Sequence, residues 1–300
     1  MSDWYSEVDF VPRRDLVLRR GDSGDEVRAL QQRLNAAGFS LTVDGQFGPL
    51  TEQAVRAIQK RSGLVVDGLA GPKTEAVLDE ARQEDSDQHG HRPNPRPADD
   101  RLLGQRDLEW AADELKVPVA AVMAVNEVES RGSGFFSNGR PAILFERHIM
   151  ARRLRHHGID PTPYCASHPD LVNTGWGGYI GGTREYERLS RAQRIHEASA
   201  LESASWGLFQ IMGFHWQHLG YTSVQHYVEL MHRSERDHLE AFVRFIRRDA
   251  MLLSSLRNQE WARFARRYNG PSYEKNRYDL KMAQAFERHR HGLDESGMLA

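Results

Sequence analysis

The sequence predicts a mainly α-helical protein in two parts: a small three-helix amino-terminal domain and a larger helical domain carrying one short β-hairpin. Three observations predict this. VDGQFGPLTEQAV at 43–55 returns 23 residues later as VDGLAGPKTEAVL at 66–78, which marks an internal repeat of one small structural unit. RQEDSDQHGHRPNPRPADD at 82–100 then carries three prolines and no apolar residue larger than alanine apart from them. Beyond it, apolar residues recur at helical spacing in several segments.

In the first part each copy of the repeat has an Asp-Gly turn, a Gly-Pro pair and a Thr that can start a helix. Ahead of them Ser23 and Glu26 form a capping-box pattern, and Val27, Leu30 and Leu34 make one apolar stripe ending near Gly38. Three short helices result, over a domain set at 1–81. So small a unit lies near the lower limit for an independent core, so its few aliphatic residues must pack tightly. The aspartates of the turns read as structural. Residues 82–100 cannot offset the entropy of ordering by burial, and read as a flexible linker that tethers the domain at 101–300 without a fixed interface.

In the second part Pro118 suits the start of a helix, and VAAVMAV at 119–125 is apolar on every side, the mark of a buried helix. Glu127, Glu129 and Ser130 stand at its far end, before Gly132 and Gly134. Burial and the negative end of the helix dipole both favour a protonated carboxyl at Glu129, and a proton-bearing Glu can serve as a general acid. The plainer reading makes both glutamates solvated residues at a fraying helix end. GFF at 134–136 and ILF at 143–145 flank Asn138-Gly139, a pair suited to a tight hairpin turn. The second strand leads into Glu146, 17 positions after Glu129, so two carboxyls could face each other across a cleft. Glu146 could instead pair with Arg147, Arg152 or Arg153.

ASWGLFQIM at 204–212 reads as a helix start, with Ser203 or Ser205 as cap and Gln210 as its polar exception. A buried amide needs a partner, either protein or a sugar hydroxyl or N-acetyl group. WARFARRYNGPSY at 261–273 is a helix stopped by Gly270 and Pro271, leaving Tyr268 and Asn269 at its last turn. Tyr268 could stack on a pyranose or simply pack.

Taken together, VESRGSGFFSNGRPAILFERH at 128–148, SASWGLFQIMGF and FARRYNGPSY resemble the N-acetylmuramidase domain of modular phage endolysins. The likeness covers about 101–291. It implies a lysozyme-like fold that cuts the β-1,4 bond after N-acetylmuramic acid, with Glu129 as catalytic acid. Glu146 would then be the base that steers water, and Ser130, Gln210, Tyr268 and Asn269 would contact substrate. Phe209 and RYNGP depart from lytic transglycosylases, which usually show methionine and an AYNAG string there. Hydrolysis and transglycosylation to anhydro-muramic ends therefore both stay open. The repeat at about 16–80 is similar to the three-helix peptidoglycan-binding domain of wall hydrolases and of some non-enzymatic wall proteins. A wall-binding or virion structural protein with an inactive second domain is thus the alternative from another class, opposed by the coexistence of Glu129, Gln210 and the Tyr268-Asn269 pair.

Composition narrows the field. A net charge of −2 offers no electrostatic footprint for nucleic acid, and one cysteine, Cys165, allows no intrachain disulfide framework. HEASA at 196–200 lacks the second histidine of a zinc-binding HExxH helix, so no metal or other cofactor is expected. Cys165 with His168 lies among prolines, with no helix start to activate the thiol. The helix read at Leu239–Leu253 has an apolar stripe that fits core packing better than a membrane surface. MSDWYSEVDF lacks the features of a signal peptide. The expectation is a monomer made in the host cytoplasm, acting on peptidoglycan in the periplasm without stable membrane insertion, and released there by a holin as the endolysin likeness implies.

Overall fold

The computed structural model describes residues 17–87, 101–130 and 133–297. The small domain contains α1 (Asp25–Ala36), α2 (Pro49–Arg61) and α3 (Pro72–Asp87). The larger one begins with α4 (Gln105–Leu115), α5 (Val119–Glu129) and strand β1 (Ile143–Phe145). It continues with α6 (Arg147–His156), α7 (Thr162–Ser167), α8 (Glu185–Gln193) and α9 (Glu197–Glu202), then strands β2 (Ala204–Trp206) and β3 (Ile211–Met212). The helices α10 (Val224–Arg233), α11 (Glu235–Arg248), α12 (Ala250–Arg257), α13 (Trp261–Asn269) and α14 (Tyr278–Gly297) complete it. The chain is mainly helical, and its apolar side chains form two separate clusters, one per domain.

In the small domain the stripe Val27, Leu30, Leu34 is buried as its spacing requires. The helix starts differ from the reading above. Ser23 does not cap α1, whose N-cap is Gly24, and α2 and α3 begin at the prolines of the two Gly-Pro pairs. A proline needs no N–H partner in the first turn. Thr51 and Thr74 therefore fall inside the first turn, where each accepts a hydrogen bond from a buried glutamine, Gln31 or Gln59.

In the large domain Ala120 through Val125 are all buried, and α5 lies against α14 and α4. A helix apolar on every side fits only at the centre, and here it carries Glu129 from the core to the domain's edge. The turn at Asn138-Gly139 forms, with Gly139 at φ 75° and a bridge between Phe135 and Pro141. Yet β1 does not pair back on 134–136. It pairs antiparallel with β2, and β2 with β3, so the short hairpin of the domain is β2–β3. Residues 204–212 are thus strand, turn and strand rather than a helix start. Gly207 at φ 70° and Gln210 at φ 50° reverse the chain in four residues, which no helix start can accommodate. The apolar stripe at 239–253 belongs to two helices broken at Asp249, and Phe242, Val243 and Ile246 are core.

The segment between the domains also differs from its reading. Helix α3 continues through Asp87, and residues 88–100 lie outside those described. The domains touch directly. Lys73 Nζ is 2.7 Å from Glu235, an acid with no solvent exposure that also accepts from the backbone N–H of Leu103 (2.8 Å) and Gly134 (2.8 Å). Gln105 accepts from Val66 N (3.2 Å), and Arg19 stands 3.5 Å from Glu127. Among the described residues no helix is long and apolar enough to cross a membrane.

Candidate active site

Glu129 is the last residue of α5, and Ser130 caps it, its N–H bonded to Asn126 O at 2.9 Å. The Glu129 side chain is half-buried, and Asn269 Nδ2 donates to its Oε1 at 2.8 Å. Asn269 arrives there because α13 ends at it, where Gly270 turns the chain at φ 79°. The residue before it is a brace. Tyr268 is 4% exposed, its ring stacks on Phe264 at 5.6 Å, and its hydroxyl donates to Phe209 O at 3.3 Å. That bond ties the Asn269 end of α13 to the β2–β3 turn, so Tyr268 steadies that turn from within the core.

Gln210 sits in that turn with its amide fully engaged. Ser205 Oγ donates to Oε1 at 2.9 Å, and Nε2 donates to Gly207 O at 2.8 Å and Ala142 O at 3.2 Å. The half-buried amide thus finds protein partners on both sides, which hold its left-handed backbone against the cost of about 1–2 kcal/mol for a residue with a Cβ. Gly207 is required there, since a Cβ would stand 2.7 Å from the His238 ring. His238 accepts from Leu208 N at Nδ1 (3.1 Å), so Nε2 carries the proton to Met231 O (2.7 Å). Burial lowers its pKa, which keeps that neutral form.

The sheet has two faces, since side chains alternate along a strand. Ile143, Phe145, Ala204, Trp206 and Ile211 join the core cluster. Leu144, Ser205 and Met212, aligned by register, take the opposite face. Glu146 follows β1 in extended backbone (φ −104°, ψ 100°), so it shares the face of Leu144, two residues or about 7 Å along. The residue is 8% exposed, and its carboxylate accepts from Tyr179 Oη at 3.0 Å and 2.8 Å. His148 Nδ1 lies 3.2 Å away without hydrogen-bonding geometry. Burial and then the Glu146 charge push the Tyr179 phenol up, so it remains a donor.

The structure therefore joins Glu129 to Asn269, and through Tyr268 and Phe209 to the Gln210 turn. Glu146 stands on the Gln210 face of the sheet, with its contacts directed to Tyr179. Sequence reasoning missed Tyr179, His148, and the loop TGWGGYIGG at 174–182 that presents Tyr179. The signal was present in five glycines surrounding two aromatics. Glu127, read beside Glu129 at the helix end, is not solvated there but bonded by Arg288 (2.6 Å) and His289 (2.9 Å). Burial pushes the Glu127 carboxyl up, but the hydrogen bond from His289 and the charges of Arg288 and Arg19 outweigh it and hold it below the usual range. Among the described residues no group of three or more His, Cys, Asp and Glu could hold a metal ion.

Comparison with known proteins identifies two families along the chain. The N-acetylmuramidase family model matches residues 118–290, and a peptidoglycan binding domain model matches residues 23–78. The crystal structure of Burkholderia AP3 phage endolysin is similar over 92% of this chain and 99% of that one, at 48% identity and a TM-score of 0.82. N-acetylmuramoyl-L-alanine amidase CwlL of Bacillus licheniformis is 52% identical over 65 residues, 21% of this chain and 18% of that protein. Zinc D-Ala-D-Ala carboxypeptidase of Streptomyces albus G is 48% identical over 61 residues, 19% of this chain and 24% of that protein. The chain thus spans about a fifth of the length of the curated relatives it matches.

Proposed function

Because the chain belongs to the N-acetylmuramidase family, we propose that it is an endolysin whose domain at 1–81 holds peptidoglycan while residues 101–300 hydrolyse the β-1,4 bond between N-acetylmuramic acid and N-acetylglucosamine. The observation that carries this reading is Glu129 at the outer end of a buried helix, with Asn269 on its Oε1. A carboxyl so placed protonates the glycosidic oxygen as the bond breaks. Asn269 orients it, while Gln210 shapes the β2–β3 turn and Tyr268, next to Asn269, braces that turn from the core. Ser130 ends the helix at the point where the acid must emerge.

Glu146 is assigned to the base that steers water, through the carboxylate that Tyr179 now holds. Replacing it tests this directly: a base lost in Glu146→Gln abolishes turnover, whereas a carboxylate that only anchors Tyr179 leaves turnover largely intact, because Gln still accepts a hydrogen bond. The protein is proposed to act as a monomer on periplasmic peptidoglycan after synthesis in the cytoplasm, with a holin giving access and host lysis as the outcome.

Glu129→Gln keeps shape and hydrogen bonding but removes the acid. Lysis of outer-membrane-stripped cells should fall by at least about a hundredfold, the usual contribution of a general acid, with sedimentation on sacculi retained. Undiminished lysis would remove Glu129 from the mechanism. Mass spectrometry of digested sacculi identifies the product: reducing muramic ends for hydrolysis, anhydro-muramic ends for transglycosylation, and no soluble fragments for a non-enzymatic wall protein.

A further inference from the structure

The loop 174–182 has the composition of a mobile segment, with Gly177, Gly178, Gly181 and Gly182 all at positive φ (90°, 77°, 71° and 60°). It is nevertheless clamped along its length. Arg147 donates from Nε to Gly175 O at 3.0 Å and from Nη2 to Trp176 O at 2.9 Å. Tyr179 is bonded to both oxygens of Glu146. Glu185, with no solvent exposure, accepts from Ile180 N at 2.8 Å and Gly181 N at 2.9 Å, and its other oxygen takes Phe145 N and Arg188. Three side chains from the end of β1 and the start of α6 and α8 thus fix the backbone.

What the clamped loop displays is apolar. Trp176 is 49% and Ile180 38% exposed, two of the five large apolar side chains left exposed among the described residues. Apolar groups held rigidly at a surface mark a place where something binds, because the entropy of ordering them has already been met. The occupant follows from position. Tyr179, between them, meets Glu146 on the sheet face that also carries Leu144 and Ser205, and Ser205 bonds Gln210. Contacts thus run from Gln210 through Ser205 and β1 to Glu146 and on to this loop, so a glycan seated at Gln210 and extended past Glu146 would meet it.

Resting on the muramidase reading above, we propose that Trp176 is a stacking platform for a pyranose ring of the glycan strand, a subsite at the Glu146 end of the groove, with Ile180 as its apolar flank. The indole plane meets the C–H face of the sugar, a contact that suits an alternating N-acetylated glycan because it needs no particular hydroxyl pattern. Glu146, Arg147 and Glu185 are positioning residues for it.

The test is binding by the full chain carrying Glu129→Gln, which separates the subsite from turnover. Stem-peptide-free glycan fragments of two and eight sugars are titrated by calorimetry. Adding Trp176→Ala should weaken the long fragment by about tenfold, as expected for loss of one aromatic contact with its buried area, and leave the short one unchanged. Trp176→Phe should stay within about threefold of the parent, and thermal melting checks that each variant is folded. An unchanged affinity for the eight-sugar fragment overturns the proposal, as does equal weakening of both fragments or no binding by the parent. If the wild-type chain releases no soluble ends from sacculi while Trp176-dependent binding persists, the muramidase reading fails and the subsite stands.

Discussion

The two repeats of the small domain are built alike and used differently. In the first, Gln31 donates to Asp44 Oδ1 (2.8 Å), Gln46 O (3.0 Å) and Thr51 Oγ1 (3.3 Å), and accepts from Gly45 N (2.9 Å). In the second, Gln59 donates to Asp67 Oδ1 (2.6 Å), Leu69 O (2.9 Å) and Thr74 Oγ1 (3.2 Å), and accepts from Gly68 N (2.9 Å). An arginine lies over the turn glycine in each: Arg28 over Gly45, Arg56 over Gly68. Local chemistry is the same, but the surroundings are not. The Asp44 turn faces solvent, and Leu50 beside it is 70% exposed. Asp67 lines a cavity of about 290 Å³ shared with Arg288 and His289 of α14, and Lys73, the counterpart of Leu50, is paired with Glu235. One copy is docked and the other is left open. A duplicated unit can thus divide between joining the domains and meeting the wall, with one residue of difference at the decisive position.

Deleting residues 1–81 breaks that comparison most severely. It leaves Glu235 without Lys73 and Glu127 without Arg19, both beside the segment that carries Glu129. The fragment loses the burial of these contacts, although Glu235 keeps its two backbone N–H donors, and each kcal/mol lost lowers the Tm of a domain of this size by about 3 °C. Residues 101–300 should still fold, since their core cluster is their own, and should cleave soluble glycan fragments while sedimenting poorly with sacculi. A fragment that melts with the full chain would show the docking contacts to be idle. An unfolded fragment would make the small domain part of the larger core.

A reciprocal exchange sharpens the comparison at one position. Lys73→Leu should destabilise the full chain by about 2–3 kcal/mol, less than a fully buried loss because Glu235 keeps two backbone N–H donors. Leu50→Lys should change it by under about 0.5 kcal/mol, as at an exposed site. Urea denaturation of both variants decides the matter, and equal costs would mean that the two positions are equivalent after all.

The smallest effect is a difference in sign. Hydrogen bonds from Gln31 and then the Gln46 N–H hold the Asp44 carboxyl below its ordinary value of 3.8. Burial pushes Asp67 above it, against the bonds from Leu69 and Gln59 and the charge of His289, and with the charge of Glu127. Asp44 therefore contributes stability above about pH 4 that is lost as pH falls through its depressed value. Asp67 opposes folding at neutral pH and ceases to do so as pH falls through its raised value. Asp44→Asn should lower the Tm at pH 7 and lose that deficit toward pH 3, while Asp67→Asn should raise the Tm at pH 7 and lose that gain toward pH 3. Melting curves at both pH values check this, and shifts of the same sign would place the two turns in equivalent surroundings.

Much of this was legible before any coordinates. The doubled turn motif, the stripe at Val27, Leu30 and Leu34, and the buried helix ending in Glu129 all rest on neighbours within a few residues, where periodicity and turn chemistry act. What failed were statements about pairing. ASWGLFQIM has no period of its own, and only β1, some sixty residues earlier, makes it strand rather than helix. Glu146 looked like a partner for nearby arginines or for Glu129, and nothing around it pointed to Tyr179, which the loop at 174–182 brings back onto it. Likewise 82–100 carries no sign that the domains it connects touch, because Lys73 and Glu235 are 162 residues apart and neither shows the other in its own surroundings. Short-range order belongs to the chain and its local sterics. Which strand is paired, which carboxylate is held and which repeat is covered depend on burial between distant segments, and that exists only once the chain has closed on itself.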